Sequence, residues 1–132
     1  MSQVILDTDV VSFLFKNDTR AERFLPFMQD QRLIISFMTE AELERWVLQS
    51  HWGAMRVQRF RVFMTRFVVI PSSRDLILKW ADVMVAARSV GRRIEVADAW
   101  IAATALLYEA PLLTNNPTDY SGVPGLITIA GQ

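Results

Sequence analysis

Val4-Ile5-Leu6-Asp7-Thr8-Asp9-Val10-Val11-Ser12-Phe13-Leu14 is the stretch that decides the fold. Three apolar residues in a row, without alternation, read as a short strand buried on both faces. Asp7 closes that strand, Asp9 is placed to cap the helix after it, and Val10, Val11 and Leu14 have helical spacing. A doubly buried strand leading straight into a helix is how a parallel sheet with helices on both faces begins.

The same alternation continues along the chain. Thr19 and Glu22 have capping-box spacing, and Ala21, Phe24, Leu25 and Met28 share a face, which predicts a second helix to about Gln29. Leu33-Ile34-Ile35-Ser36 is the next strand, and Thr39 with Glu42 repeats the capping box, placing Glu42 in a first helical turn. A helix over about 54–67 carries the stripe Phe60, Phe63, Met64 and Phe67, with Arg59 and Arg66 along one edge and Arg61 along the other. Val68-Val69-Ile70 is a strand stopped by Pro71. From Ser72 or Ser73 a long helix turns Ile77, Trp80, Ala81, Met84 and Val85 inward until Gly91. An alanine-rich helix over about 96–108 holds Asp98 in its first turn; Leu112-Leu113-Thr114 and Leu126-Ile127-Thr128-Ile129 complete the strands. The expected fold class is α/β, a three-layer α/β/α arrangement with a mostly parallel sheet of four to five strands, in one domain over residues 1–132.

In such a sheet the C-terminal ends of strands and the N-termini of the following helices share one edge, where ligands bind. Asp7, Glu42, Asp98, Asn116 and Asp119 should all arrive there. Each acid alone is explained by the positive end of a helix dipole. Together they are a problem in electrostatics, because two unit charges about 4 Å apart repel by roughly 4 kcal/mol at an effective dielectric near 20. Three mutual contacts would cost on the order of 10 kcal/mol, comparable to the stability of a whole domain. The site must keep a proton or hold a cation, and an all-oxygen donor set points to Mg²⁺, with Mn²⁺ as the other choice.

Fourteen basic and fourteen acidic residues cancel, but they are unevenly spread. Every Lys and Arg lies at or before Arg93, and the residues after it carry Glu95, Asp98, Glu109 and Asp119 with no base. From Arg45 to Arg74 there are arginines and His51 but no acid, an asymmetry suited to a polyanion lying beside a metal site. The absence of cysteine excludes disulfides and thiolate metal sites. No apolar run approaches a membrane span and the start lacks the form of a signal peptide, so a soluble, cytoplasmic protein is expected.

Four segments in this order resemble PIN domains, most closely the VapC-like toxins: Val4 to Asp9, Ile35 to Leu43, Ala97 to Ala103, and Leu113 to Asn116 with Asp119-Tyr120. The resemblance spans essentially the whole chain. It implies a Mg²⁺-dependent endoribonuclease leaving 5′-phosphate and 3′-hydroxyl ends, with Asp7, Glu42 and Asp98 as the acidic triad and metal site. Asp7 and Asp98 would be ligands, Glu42 a ligand or water-orienting base, and Thr114 and Asn116 polar groups positioning water or metal. The fourth acidic position falls on Asn116 or on Asp119. Asp9 stands where the family pattern has an amide, and either tunes the site or caps the helix. Arg59, Arg61 and Arg66 are candidates for RNA phosphates, or else a solvated face. The resemblance also implies a homodimer and a small antitoxin partner; Phe13, Phe15 and Phe24 would line a groove for one of these or pack in the core.

Two other readings compete. Asp7-Thr8-Asp9 also looks like the first motif of haloacid dehalogenase-like phosphatases, but Lys79 is the last lysine and no later Asp-Asp pair accompanies it. A catalytically inactive module of the same fold that binds RNA or protein is the second.

Overall fold

The computed structural model describes residues 2–131. Strands β1 (Gln3–Leu6), β2 (Arg32–Ser36), β3 (Val68–Ile70), β4 (Leu112–Leu113) and β5 (Thr128–Ile129) form one sheet in the order β3-β2-β1-β4-β5. Every pairing is parallel, with Ile5 opposite Ile34 on one side and Leu6 opposite Leu113 on the other. The helices are α1 (Thr8–Lys16), α2 (Phe37–Ser50), α3 (Ala54–Met64), α4 (Arg74–Ser89) and α5 (Val96–Leu107).

Adjacent strand residues feed opposite cores, which is why the strands are apolar without alternation. Ile5, Ile34 and Leu112 join one cluster with Leu76 and Val83 of α4 and Ile101 of α5. Val4, Leu6, Ile35 and Leu113 join the other, with Val10 and Val11 of α1, Leu43 of α2 and Phe60 of α3. Small Ala99, Ala102, Ala103 and Ala105 are buried on α5, letting that helix lie close to the sheet. Phe13 and Phe24 are buried, and Phe15 is wedged among Trp46, Trp52, Phe60 and Phe63, so these phenylalanines serve packing.

Several local expectations are corrected. Residues Thr19–Phe27 form a 3-10 helix instead of an α-helix; Asp18 caps it and Pro26 lies inside it, removing a backbone donor where an α-helix would need one. Asp7, not Asp9, is the N-cap of α1. Ser36, not Thr39, caps α2, so the helix starts earlier and Glu42 sits in its second turn. On α4 the inward residues are Leu76, Val83 and Ala87, while Ile77 and Val85 are 43% and 69% exposed. Apolar residues on every side of that helix left its inward face ambiguous.

Candidate metal centre

The chain runs β1, β2, β3 outward on one side and then returns to place β4 on the other side of β1. The strand order reverses between β1 and β4, and a crevice at their C-terminal ends is the expected ligand site. Asp7 leaves β1 there, Thr114 leaves β4, α2 brings Glu42, and α5 brings Asp98. An aromatic bracket fixes the last two helices: Phe37 at the start of α2 packs edge-on against Trp100 of α5 at 5.2 Å, and Trp100 stacks on Trp80 of α4 at 4.9 Å.

Asp7 is the anchor, almost fully buried. Its Oδ1 accepts the Thr8 backbone N–H at 2.8 Å, and its Oδ2 accepts the Thr114 hydroxyl at 2.7 Å and the Tyr120 phenol at 2.9 Å. Burial still pushes its pKa upward despite those donors, with a further push from Asp119. Tyr120 also lies 3.4 Å from Asp98 Oδ1. A phenol has one proton, so donation to Asp7 leaves its oxygen as an acceptor for Asp98 when Asp98 is protonated. Asp98 is set up for that role, because burial and the charges of Asp7, Asp119 and Glu42 push its pKa up to about 7. The phenol's own pKa is raised by burial and the carboxylates, so Tyr120 remains a neutral donor.

Glu42 joins through Thr8. The Thr8 hydroxyl donates to Glu42 Oε1 at 2.6 Å and lies 3.0 Å from the buried Thr39 hydroxyl, which completes the relay by donating to Thr8. Asp9 bridges two segments: Oδ1 accepts Val10 N–H at 2.7 Å, and Oδ2 accepts Asn115 N–H at 3.2 Å and the Asn116 side-chain amide at 3.0 Å. Its pKa is pushed up to about 6, by burial first and then by Asp7. Asn116 is thus tied to Asp9, and its backbone N–H donates to Thr114 Oγ1 at 3.1 Å. Thr114 orients Asp7 with its only proton. Asp119 is exposed, yet its charge reaches both Asp7 and Asp98.

Among the described residues no ion pair involves any of these carboxylates; the two salt bridges are Arg20–Asp18 and Arg61–Glu44, both elsewhere. Nor do three carboxylates close around one point as a ready-made cage. The carboxylates form a rim, with Asp7 and Asp98 joined through Tyr120 and Glu42 held alongside by Thr8. That donor set fits Mg²⁺, which keeps several of its waters and takes one or two carboxylates. Raised pKa values at Asp98, Asp7 and Asp9, with no ion pair to any of them among the described residues, are what a site built around a cation has when considered as protein alone.

The basic candidates lie apart from this network. Arg61 is paired with Glu44, its Nη2 donating to Oε1 at 2.9 Å, and Arg66 lies 4.6 Å from the Phe63 ring. Arg59 is exposed beside Met55, Gln58 and Val62. Tyr120 and Thr8 lie within the segments that carry the resemblance, but their bonds to Asp7 and to Glu42 were not assigned from the sequence, because neither side chain is a carboxylate.

Residues 4–122 match the PIN domain family model, and the chain belongs to the PIN domain family. Among its relatives, Ribonuclease VapC1 of Haemophilus influenzae is 30% identical over 127 residues, covering 92% of each chain. Ribonuclease VapC5 of Mycobacterium tuberculosis is 26% identical over 127 residues, covering 95% of this chain and 90% of the relative. The solved structure of VapBC-1 from nontypeable Haemophilus influenzae matches with a TM-score of 0.80 at 27% identity over 96% of each chain. A toxin-antitoxin complex from Klebsiella pneumoniae matches with a TM-score of 0.77 at 26% identity, over 96% of this chain and 97% of that one. No helix among the described residues is long and apolar enough to cross a membrane.

Proposed function

We propose that this protein is a divalent-metal-dependent endoribonuclease and the toxin of a VapBC-like pair, inhibited by a small antitoxin. The observation that carries the reading is the carboxylate rim at the β1–β4 switch, gathered from four chain segments with no ion pair to it among the described residues. Its relatives named as ribonucleases, and structural neighbours solved as toxin-antitoxin assemblies, support the substrate and the partner.

In this reading Asp7 and Asp98 hold the ion, Mg²⁺ or Mn²⁺. Asp7 has its Oδ2 occupied by Thr114 and Tyr120, so Oδ1 offers the remaining lone pair. The ion supplies polarisation of a phosphate oxygen and a more acidic water. Glu42, with Oε1 held by Thr8, presents its second oxygen to orient water and accept a proton. Asp119 is the better candidate for the fourth acidic position, because its charge reaches Asp7 and Asp98 whereas Asn116 is committed to Asp9. Arg59 and Arg66 remain candidates for distant RNA phosphates; Arg61 would first have to leave Glu44.

The test is to incubate antitoxin-free protein with total RNA in Mg²⁺ or Mn²⁺, with chelator, and alongside an Asp98→Asn variant. Discrete cuts bearing 5′-phosphates, lost with chelator and with the variant, are expected. Equal cleavage by the variant overturns the assigned site, and no cleavage by the wild type in either metal favours a binding module.

A further inference from the structure

A groove of about 310 Å³ opens between α1 and α2 directly beside the carboxylates. Thr8, Asp9 and Glu42 line it and belong to the site already described; Ser12, Lys16, Leu43 and Trp46 line it too and have no part in that site. Both helices start at the sheet's ligand edge, so both lead away from it. Thr8, Ser12 and Lys16 recur every four residues along α1, as Glu42 and Trp46 do on α2, so the groove extends roughly 12 Å outward along α1 from Thr8 to Lys16. Its lining changes from acidic at the mouth to aromatic one turn out and cationic two turns out.

Resting on the ribonuclease reading, we propose that this groove is the subsite for one unpaired RNA nucleotide adjoining the scissile phosphate, its base against Trp46 and its outer phosphate at Lys16. Trp46 is a rigid platform. Its ring is held edge-on by Trp52 at 4.8 Å, by Phe15 at 6.2 Å and by Phe60 at 6.2 Å, while part of it remains exposed along the groove. Stacking on such a ring is tolerant of base identity but requires a base free of its partner strand. Lys16 makes no ion pair among the described residues, and its ammonium lies over the Trp46 ring, 6.0 Å from its centre, and 5.8 Å from the centre of Phe13; a base stacking on Trp46 would take that place and leave the flexible ammonium to meet the outer phosphate. The Ser12 hydroxyl donates to the Asp9 carbonyl at 2.8 Å and keeps its oxygen free to accept from a base or ribose. A volume at the small end of ligand clefts has room for about one nucleotide. Continuity with the carboxylates favours substrate over a protein segment as occupant.

The test uses the Asp98→Asn protein in chelator, which holds RNA without cutting, titrated with a labelled single-stranded oligoribonucleotide and with the same sequence as a duplex at several salt concentrations. The single strand should bind more tightly. Adding Trp46→Leu should weaken single-strand binding about 5- to 100-fold, and Trp46→Phe should retain most of the affinity. Lys16→Gln should weaken it and lower the slope of log K against log salt by about 0.7. Equal affinity for strand and duplex, or unchanged binding by Trp46→Leu and Lys16→Gln, overturns the subsite; the latter is also what a protein-binding groove would give. Cleavage by the wild type with binding indifferent to these substitutions leaves the ribonuclease reading standing and removes the subsite. No cleavage by the wild type in either metal removes both.

Discussion

Replacing Asp98 with asparagine should make the metal-free protein more stable while abolishing its activity. A carboxyl group titrating at about 7 instead of 3.8 disfavours ionisation by about 4 kcal/mol, at 1.36 kcal/mol per pKa unit. Asp98 is only partly buried, so water screens much of this and about 1–2 kcal/mol reaches the folding equilibrium. Because the folded pKa is the higher one, the folded state binds the extra proton; its stability is greatest below about pH 4 and is lost as pH rises through about 7. The substituted amide cannot ionise, and its NH2 group can donate to the Tyr120 oxygen as the protonated acid does, so the variant escapes that loss with the contact kept. In chelator at pH 8 the variant should melt about 3–8 °C above the wild type, and by pH 5 the gap should shrink by more than half. Saturating Mg²⁺ should reverse the order, since a ligand at 100 times its Kd adds about 2.7 kcal/mol and only the wild type retains both carboxylates. Differential scanning fluorimetry across pH, with chelator and then with Mg²⁺, reads all three effects. A variant that melts below the wild type at pH 8 without metal, or a gap that does not change with pH, refutes the reasoning.

Three further outcomes are expected. Tyr120→Phe removes one of the three donors to Asp7 and the link to Asp98, and should cost about 1 kcal/mol in denaturant unfolding and weaken Mg²⁺ binding measured by calorimetry; unchanged Mg²⁺ affinity would show the phenol to be only a packing residue. Gly122→Ala should destabilise by about 1–3 kcal/mol, because a Cβ there would lie 2.5 Å from the Arg92 carbonyl oxygen and 2.8 Å from its Cβ, and the backbone must shift; an unaltered melting temperature would show that the loop yields freely. Activity in Mg²⁺ should fall as pH drops through about 7, since a protonated Asp98 cannot hold the ion, and excess Mg²⁺ should move that midpoint downward; a midpoint indifferent to Mg²⁺ concentration would assign the titration to another group.

The parallel sheet was readable because β1 to β4 carry unbroken apolar runs such as Val4-Ile5-Leu6 and Leu33-Ile34-Ile35, which burial on both faces explains. Bringing Asp7, Glu42 and Asp98 to one edge came from chain direction alone. Finer placements depended on competition between neighbours that a linear pattern does not resolve. Ser36 won the cap of α2 over Thr39 because it sits at the end of a buried strand, leaving Thr39 free to face Thr8. Leu76, Ile77 and Leu78 offer three faces of α4 equally, and only tertiary packing chooses Leu76. The pairing of Asp9 with Asn116 and the bond from Tyr120 to Asp7 join residues more than a hundred positions apart, and no local signal announces such contacts.

That separation has a consequence for synthesis. β4 pairs with β1, and Thr114 and Tyr120 complete the setting of Asp7, so the carboxylate rim stays unfinished until the final fifth of the chain has left the ribosome. A nascent chain carrying Asp7, Glu42 and Asp98 but still tethered short of residue 112 has the acids without the scaffold that holds them. A chain that ends before that point lacks both the strand beside β1 and the two hydroxyls that orient Asp7, so the order of synthesis alone delays assembly of the rim to its last stage.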